Sequence, residues 1–285
     1  MVVEYLLSQT KALKNPWVAF FAGAVFASLS ILISKLVFPA YTSLVMVFLT
    51  VLFVIPLTYA VAKEELAKDM KTDDPGKMIA AHKNAIAVYT FLFLGVTFGF
   101  TLWYVFLPAA SVQDIFMTQS DTINRINAPP AQVTGGFTHT EQMFRIFFNN
   151  FRVMLFSILF SFIYGIGFIF IIIWNASVIA TAVGNMIRSK LSAAAIHLGQ
   201  IGIGQYLSIV SVGVFRYMIH GTGEIIAYII AGFAGSMISI YIIKNGLKFE
   251  SAYKIFVDVA DLLLFAVLIL FLSAVLEVYV TPAII

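Results

Sequence analysis

The chain has 285 residues, 61% of them hydrophobic and only 11% charged, with a formal net charge of +3. Soluble domains carry roughly 25% charged residues, so too little charge is present to clothe a water-facing surface. Cysteine is absent, which excludes disulfides, thiolate metal sites and a cysteine nucleophile, and the basic residues lie mostly between apolar runs, a topology signal rather than a nucleic-acid footprint.

Several apolar runs approach or exceed the roughly 18–20 residues that a spanning helix needs. They predict an all-α, polytopic transmembrane helix bundle of about seven spans, at 16–38, 42–62, 85–107, 152–174, 191–215, 222–243 and 258–280. Three regions follow: an N-terminal transmembrane region of three spans (1–107), an outer loop with an interfacial helix (108–146), and a second transmembrane region (147–285). Lys11 and Lys14 precede a run too long for a signal-peptide core, so the first span is expected to be an uncleaved anchor. It starts at Pro16, ends at Phe38-Pro39 and forms a hairpin with the second.

The segment KEELAKDMKTDDPGKMIAAHKN (63–84) holds five lysines and five acids. It reads as a charged cytoplasmic connection with a turn at Asp74-Pro75-Gly76. In the third span, Gly95 and Gly99 form a GxxxG pair suited to close helix contact. Residues 108–146 carry only Arg125 and Arg145 as basic residues and therefore face outward. Pro129-Pro130 and Gly135-Gly136 interrupt them. Thr138 and Glu141 have capping-box spacing, and Phe144, Phe147, Phe148 and Phe151 follow at helical intervals, which predicts an interfacial helix feeding span four.

Trp174-Asn175 ends the apolar run of span four. Asn175 is expected to break the helix, leaving a short half-helix that ends at Gly184-Asn185, unless its amide serves as packing glue between helices. Span five contains His197, Gln200, Gln205 and four glycines. It is either a buried span or part of a re-entrant or broken segment within 175–215. Reading it as a span places the N-terminus in the cytoplasm and the C-terminus outside the cell membrane. Twelve of the seventeen basic residues then fall inside, Arg188 and Lys190 among them.

Polar residues gather at the outer level of this topology: Asn149, Asn150 and Arg152 in span four, Arg216, His220 and Glu224 near the start of span six, and Glu277 at the end of span seven. Pairing removes most of the burial penalty of a charge, and Arg152 with Glu224 or Glu277 is the expected pair. His220 and Glu224 share a helix face at i, i+4. Gly221 and Gly223 suggest a helix start or break beside them. Ala231 and Gly235 form a second small-residue pair for helix packing. No HExxH, GxSxG, P-loop or DxD pattern occurs, and His82, His139 and His197 are scattered. The chain therefore reads as a non-enzyme, with no metal site, no cofactor and no nucleic-acid partner implied.

The order of FFNNFRV (147–153), YGIGFIF (164–170), WNASVIATAVG (174–184), MIHGTGEIIAYIIAGFAG (218–235) and AVLEVYVTP (274–282) resembles the stage II sporulation protein M (SpoIIM) family of multi-pass membrane proteins. The resemblance covers about residues 140–282. Residues 1–139 match the family less clearly and read as a lineage-specific front half. Ala176 stands where the family usually has glycine, and Ile219 where it usually has proline. The founding member belongs to a sporulation engulfment machinery and is similar to a scaffold for peptidoglycan-degrading partners. The resemblance implies a membrane scaffold or assembly component of an envelope complex, whose partners are lipids, further copies of itself or other envelope proteins. A transporter or channel for an ion, lipid or small polar solute, using the cluster at His220 and Glu224, is the alternative. The family brings no accepted catalytic residues, so Asn149, Asn150, Asn175, His220, Gly221, Glu224 and Glu277 are motif positions.

Overall fold

A computed structural model describes residues 8–69, 78–127, 138–163, 165–198, 203–246 and 249–280. These residues form helices α1 (Gln9–Lys14), α2 (Trp17–Val37), α3 (Thr42–Asp69), α4 (Met78–Phe106), α5 (Ala109–Ile115), α6 (Met117–Asn127), α7 (His139–Ser161), α8 (Phe168–Leu198), α9 (Ile203–Asn245) and α10 (Phe249–Val275). A single 3-10 turn (Pro39–Tyr41) precedes α3, and a π-helical turn (Leu276–Val280) follows α10. The turn at 74–76 and the breaks at 129–130 and 135–136 lie outside the described residues.

Seven helices among the described residues are long and apolar enough to cross a membrane, at Trp17–Val37, Pro39–Lys68, His82–Phe106, His139–Ser161, Phe168–Ala194, Gly221–Lys244 and Ile255–Tyr279. The number agrees with the sequence; the fourth and fifth do not lie where it places them. The apolar run expected to be one span at 152–174 is folded in two. A reversal at 162–167 separates α7 from α8, with Gly165 at φ 72°, a backbone region that costs a residue with a Cβ. Residues 168–194 then form the fifth span, and 191–215 is not among the spans found in the described residues. Its start belongs to α8, residues 199–202 lie outside the described residues, and its end belongs to α9.

One physical reason accounts for the shift. A turn made of Phe, Ile and Gly has the hydropathy of a span, whereas the stretch after Trp174 is polar enough to look like a connection. Two of its polar groups, Asn175 and Arg188, are satisfied within the bundle. Asn175 Nδ2 donates to the Ile171 carbonyl one turn earlier, at 2.8 Å, so Asn175 does not break α8. Gly184-Asn185 does not end it either, since Gly184 packs against the Tyr104 ring. Arg188 donates from Nη1 to the carbonyls of Tyr104 and Leu107, each at 3.0 Å, and so satisfies acceptors that the C-terminus of α4 leaves open. Arg188 thereby lies at the end of the bundle where α4 finishes, and Lys190 follows it on α8.

Two groups of helices pack together. In the front group, α2 lies along α4 and beside α3; in the rear group, α9 contacts α7, α8 and α10; α4 joins the two through α8. The span of α9 is the most enclosed, with 83% of its apolar window buried, against 17% for α7. At roughly 1.5 Å per residue, the 43 residues of α9 exceed a hydrocarbon layer of about 30 Å.

The 108–146 region is less of a loop than expected. Helix α6 inserts Gln119, which is fully buried, between α3 and α8. Gln119 Oε1 accepts from Ser43 Oγ at 2.7 Å, and Nε2 donates to the Ser43 carbonyl at 3.2 Å and to Ser177 Oγ at 3.3 Å. The capping box is present, with Thr138 N donating to Glu141 Oε2 at 2.9 Å and Glu141 N donating to Thr138 Oγ1 at 3.3 Å. The helix it opens is not a separate interfacial piece but runs straight into span four.

Candidate functional site: a polar seam between α7 and α9

Residues Asn150, Met154, Ser157 and Ser161 recur at helical spacing and share one face of α7. That face meets α9. Asn150 Nδ2 donates to Glu224 Oε1. Ser157 Oγ donates to the Tyr228 carbonyl at 3.1 Å, and Ser161 Oγ to the Gly232 carbonyl at 2.7 Å. At the reversal, Ser239 Oγ reaches the Phe162 carbonyl at 3.4 Å. The partners advance together along both chains, so α7 and α9 run parallel. Gly235 permits the close contact at this end, since a Cβ there would lie 2.9 Å from Ser161 Cβ. Ala231, one turn earlier, is fully buried.

The expected ion pair is not formed. Arg152 follows Asn150 by two residues, roughly 200° around the helix. It is exposed and makes no ion pair among the described residues. Asn149 is likewise exposed. Glu224 instead takes its bond from the uncharged Asn150, and the Glu277 carboxylate is near enough to act on it electrostatically. Glu277 lies in the π-helical turn after α10, which brings three helices to one level. Gly221 and Gly223 neither start nor break a helix, because α9 continues through both. Gly223 abuts Ser273 of α10, while Gly221 leaves ordinary room beside Ile179. His220 lies on the helical turn before Glu224, and its side chain, like those of Arg216 and His197, lies outside the described residues. Asn175 bonds within α8 and does not join the seam.

A family model, stage II sporulation protein M, matches residues 17–282. The chain belongs to the stage II sporulation protein M family. No curated protein and no solved structure gives a match. The family match begins at the first span, so the front half, which the sequence motifs set outside the resemblance, is part of the family region.

That front half also holds the polar site that the motifs of this SpoIIM-family chain did not reveal. Glu65 of α3 and His82 of α4 are each 1% exposed, with His82 Nδ1 2.9 Å from Glu65 Oε2. Lys68 Nζ donates to Glu65 Oε1 at 2.6 Å. The imidazole packs edge-on to Phe233 of α9, with ring centroids 5.4 Å apart, and so ties the front group to the rear. A sequence signal exists for the pair. Val54, Leu57, Val61 and Glu65 fall on one helical stripe, as do His82, Ala85 and Tyr89; all of these are buried. The charge-rich context of 63–84 masked both stripes. Gly95 and Gly99 do what their spacing predicts, bringing α4 onto α2: a Cβ on Gly99 would sit 2.9 Å from the Ala24 carbonyl oxygen, and one on Gly95 would strike the Phe20 carbonyl. Among the described residues no group of three or more His, Asp or Glu converges as metal ligands would.

Proposed function

We propose that this SpoIIM-family protein is a non-enzymatic membrane scaffold that assembles, with itself or with other envelope proteins, through the outward face of α7. One observation carries this reading. Helix α7 turns Asn150, Ser157 and Ser161 inward on α9, yet is the least enclosed span, and it turns Phe144, Phe148, Leu155, Phe156 and Leu159 outward. Phe144 and Phe148 stack at 6.3 Å, a rigid aromatic ridge of the kind that anchors helix contacts. With the N-terminus in the cytoplasm, as the lysine and arginine distribution favours, seven spans put the capping box of α7 outside, where an envelope partner is within reach.

The absence of cysteine makes the test clean. Single substitutions Phe148→Cys and Phe156→Cys, cross-linked in native membranes, are expected to give a discrete dimer or hetero-complex band. Monomer alone at both positions contradicts the proposal.

A second reading, transport of an ion, lipid or small polar solute, is favoured by two carboxyl groups, Glu224 and Glu277, that lie within membrane spans. Ionisable groups at membrane depth are costly unless they serve a pathway or are otherwise satisfied. Unchanged proteoliposome flux after Glu224→Gln contradicts it.

A further inference from the structure

We infer that the cleft between the ends of α2 and α4 is a binding site for one phospholipid with a primary-ammonium zwitterionic headgroup, of the phosphatidylethanolamine class. Helices α2 and α4 run parallel and touch backbone to backbone at Phe20–Gly95 and Ala24–Gly99. Crossed helices separate with distance from their contact point. The residues at Lys35 and Leu107 lie roughly 12–16 Å beyond that point at about 1.5 Å per residue. There large side chains replace the glycines. A groove of about 430 Å³ remains, lined by Ile31, Lys35, Trp103, Leu107, Ser111 and Ile115 among others. Helix α5 closes its end with Ser111 and Ile115. Its volume lies within the roughly 300–1,000 Å³ of ligand clefts, and its apolar walls open sideways from two membrane spans, where the available occupant is an acyl chain.

The rim specifies the headgroup. Lys35 Nζ and Asp114 Oδ2 are 3.2 Å apart, with the side chains 41% and 64% exposed. An exposed pair of this kind contributes little to stability, so opening it to admit a second pair of charges costs little. A phosphate then faces Lys35 and a primary ammonium faces Asp114, each exchanging one partner for another of the same sign. An anionic head satisfies Lys35 but meets the Asp114 carboxylate with no cation to offer. Trp103 lies one to two turns below the rim, at a depth where aromatic side chains border the headgroup layer.

The probe is the full-length protein in detergent, offered equimolar phosphatidylethanolamine and phosphatidylglycerol of identical chains and read by native mass spectrometry. One phosphatidylethanolamine per chain is expected to be retained in preference. Ser111→Trp, which fills the groove from α5, is expected to lower that retention at least about fivefold; Asp114→Asn is expected to erase the headgroup preference while leaving chain binding, the changes expected of about 1 kcal/mol. Lys35→Ala tests the same rim without adding bulk to the groove and guards against misfolding of the tryptophan variant. Preference for phosphatidylglycerol, or retention indifferent to both Ser111→Trp and Lys35→Ala, overturns the inference.

Discussion

The front and rear halves of the bundle hold their helices together by different means. In the front, α2 and α4 approach through Gly23, Gly95 and Gly99 until backbone meets backbone, and dispersion contacts do the joining. In the rear, α7 and α9 are joined by hydroxyl and amide donors, namely Asn150, Ser157 and Ser161. Lipid offers no hydrophobic drive for helices to associate, because acyl chains are as apolar as leucine; close packing and interhelical hydrogen bonds are the two alternatives left. The glycine solution is rigid and intolerant of added atoms. The serine solution is distributed, so each bond is individually weak.

The comparison breaks most sharply where the halves meet. Glu65→Ala removes the carboxylate shared by His82 and Lys68 in a buried setting. Breaking a buried pair costs about 3–5 kcal/mol, so thermal unfolding in detergent is expected to show the largest loss here. Next comes Gly95→Leu. Overpacking costs roughly 1–3 kcal/mol and occasionally more, and because the obstacle is the Phe20 backbone rather than a movable side chain, the upper end is expected. A melting temperature equal to wild type would refute close approach of α2 and α4. In the rear, Ser161→Ala is expected to cost only about 0.6 kcal/mol, the mean for interhelical hydrogen bonds in a membrane protein. Arg152→Ala, on the opposite face of the same helix, should stay within about 0.5 kcal/mol of wild type. Equal and large losses for Ser161→Ala and Arg152→Ala would place the seam on the wrong face.

The two halves also differ in how much the sequence revealed. The three front spans stand near their expected places, because long apolar runs there are bounded by Pro39 and by the charges of 63–84. The Gly95–Gly99 contact was legible for a related reason: the spacing has one geometric meaning on a helix. In the rear, hydropathy was blind to the reversal at Gly165, since every neighbour is apolar. It also mistook Asn175 and Arg188 for a connection, although both polar groups are consumed by carbonyls within the bundle. Glu224 was legible as a residue needing a partner, but the partner was not. Charge complementarity pointed to Arg152, whereas helical register gives Asn150 the inward position. Glu65 and His82 were hidden by composition, because a charge-rich segment reads as solvated even when one of its acids continues a buried stripe.

The central claim is that Glu224 serves to join α7 to α9. A double-mutant cycle of Asn150→Leu and Glu224→Leu, measured by reversible unfolding in lipid-detergent micelles, tests it most directly. The expected result is a coupling energy of about 1–2 kcal/mol, the upper range for a hydrogen bond between membrane helices. Additivity of the two single effects within about 0.3–0.5 kcal/mol would contradict it.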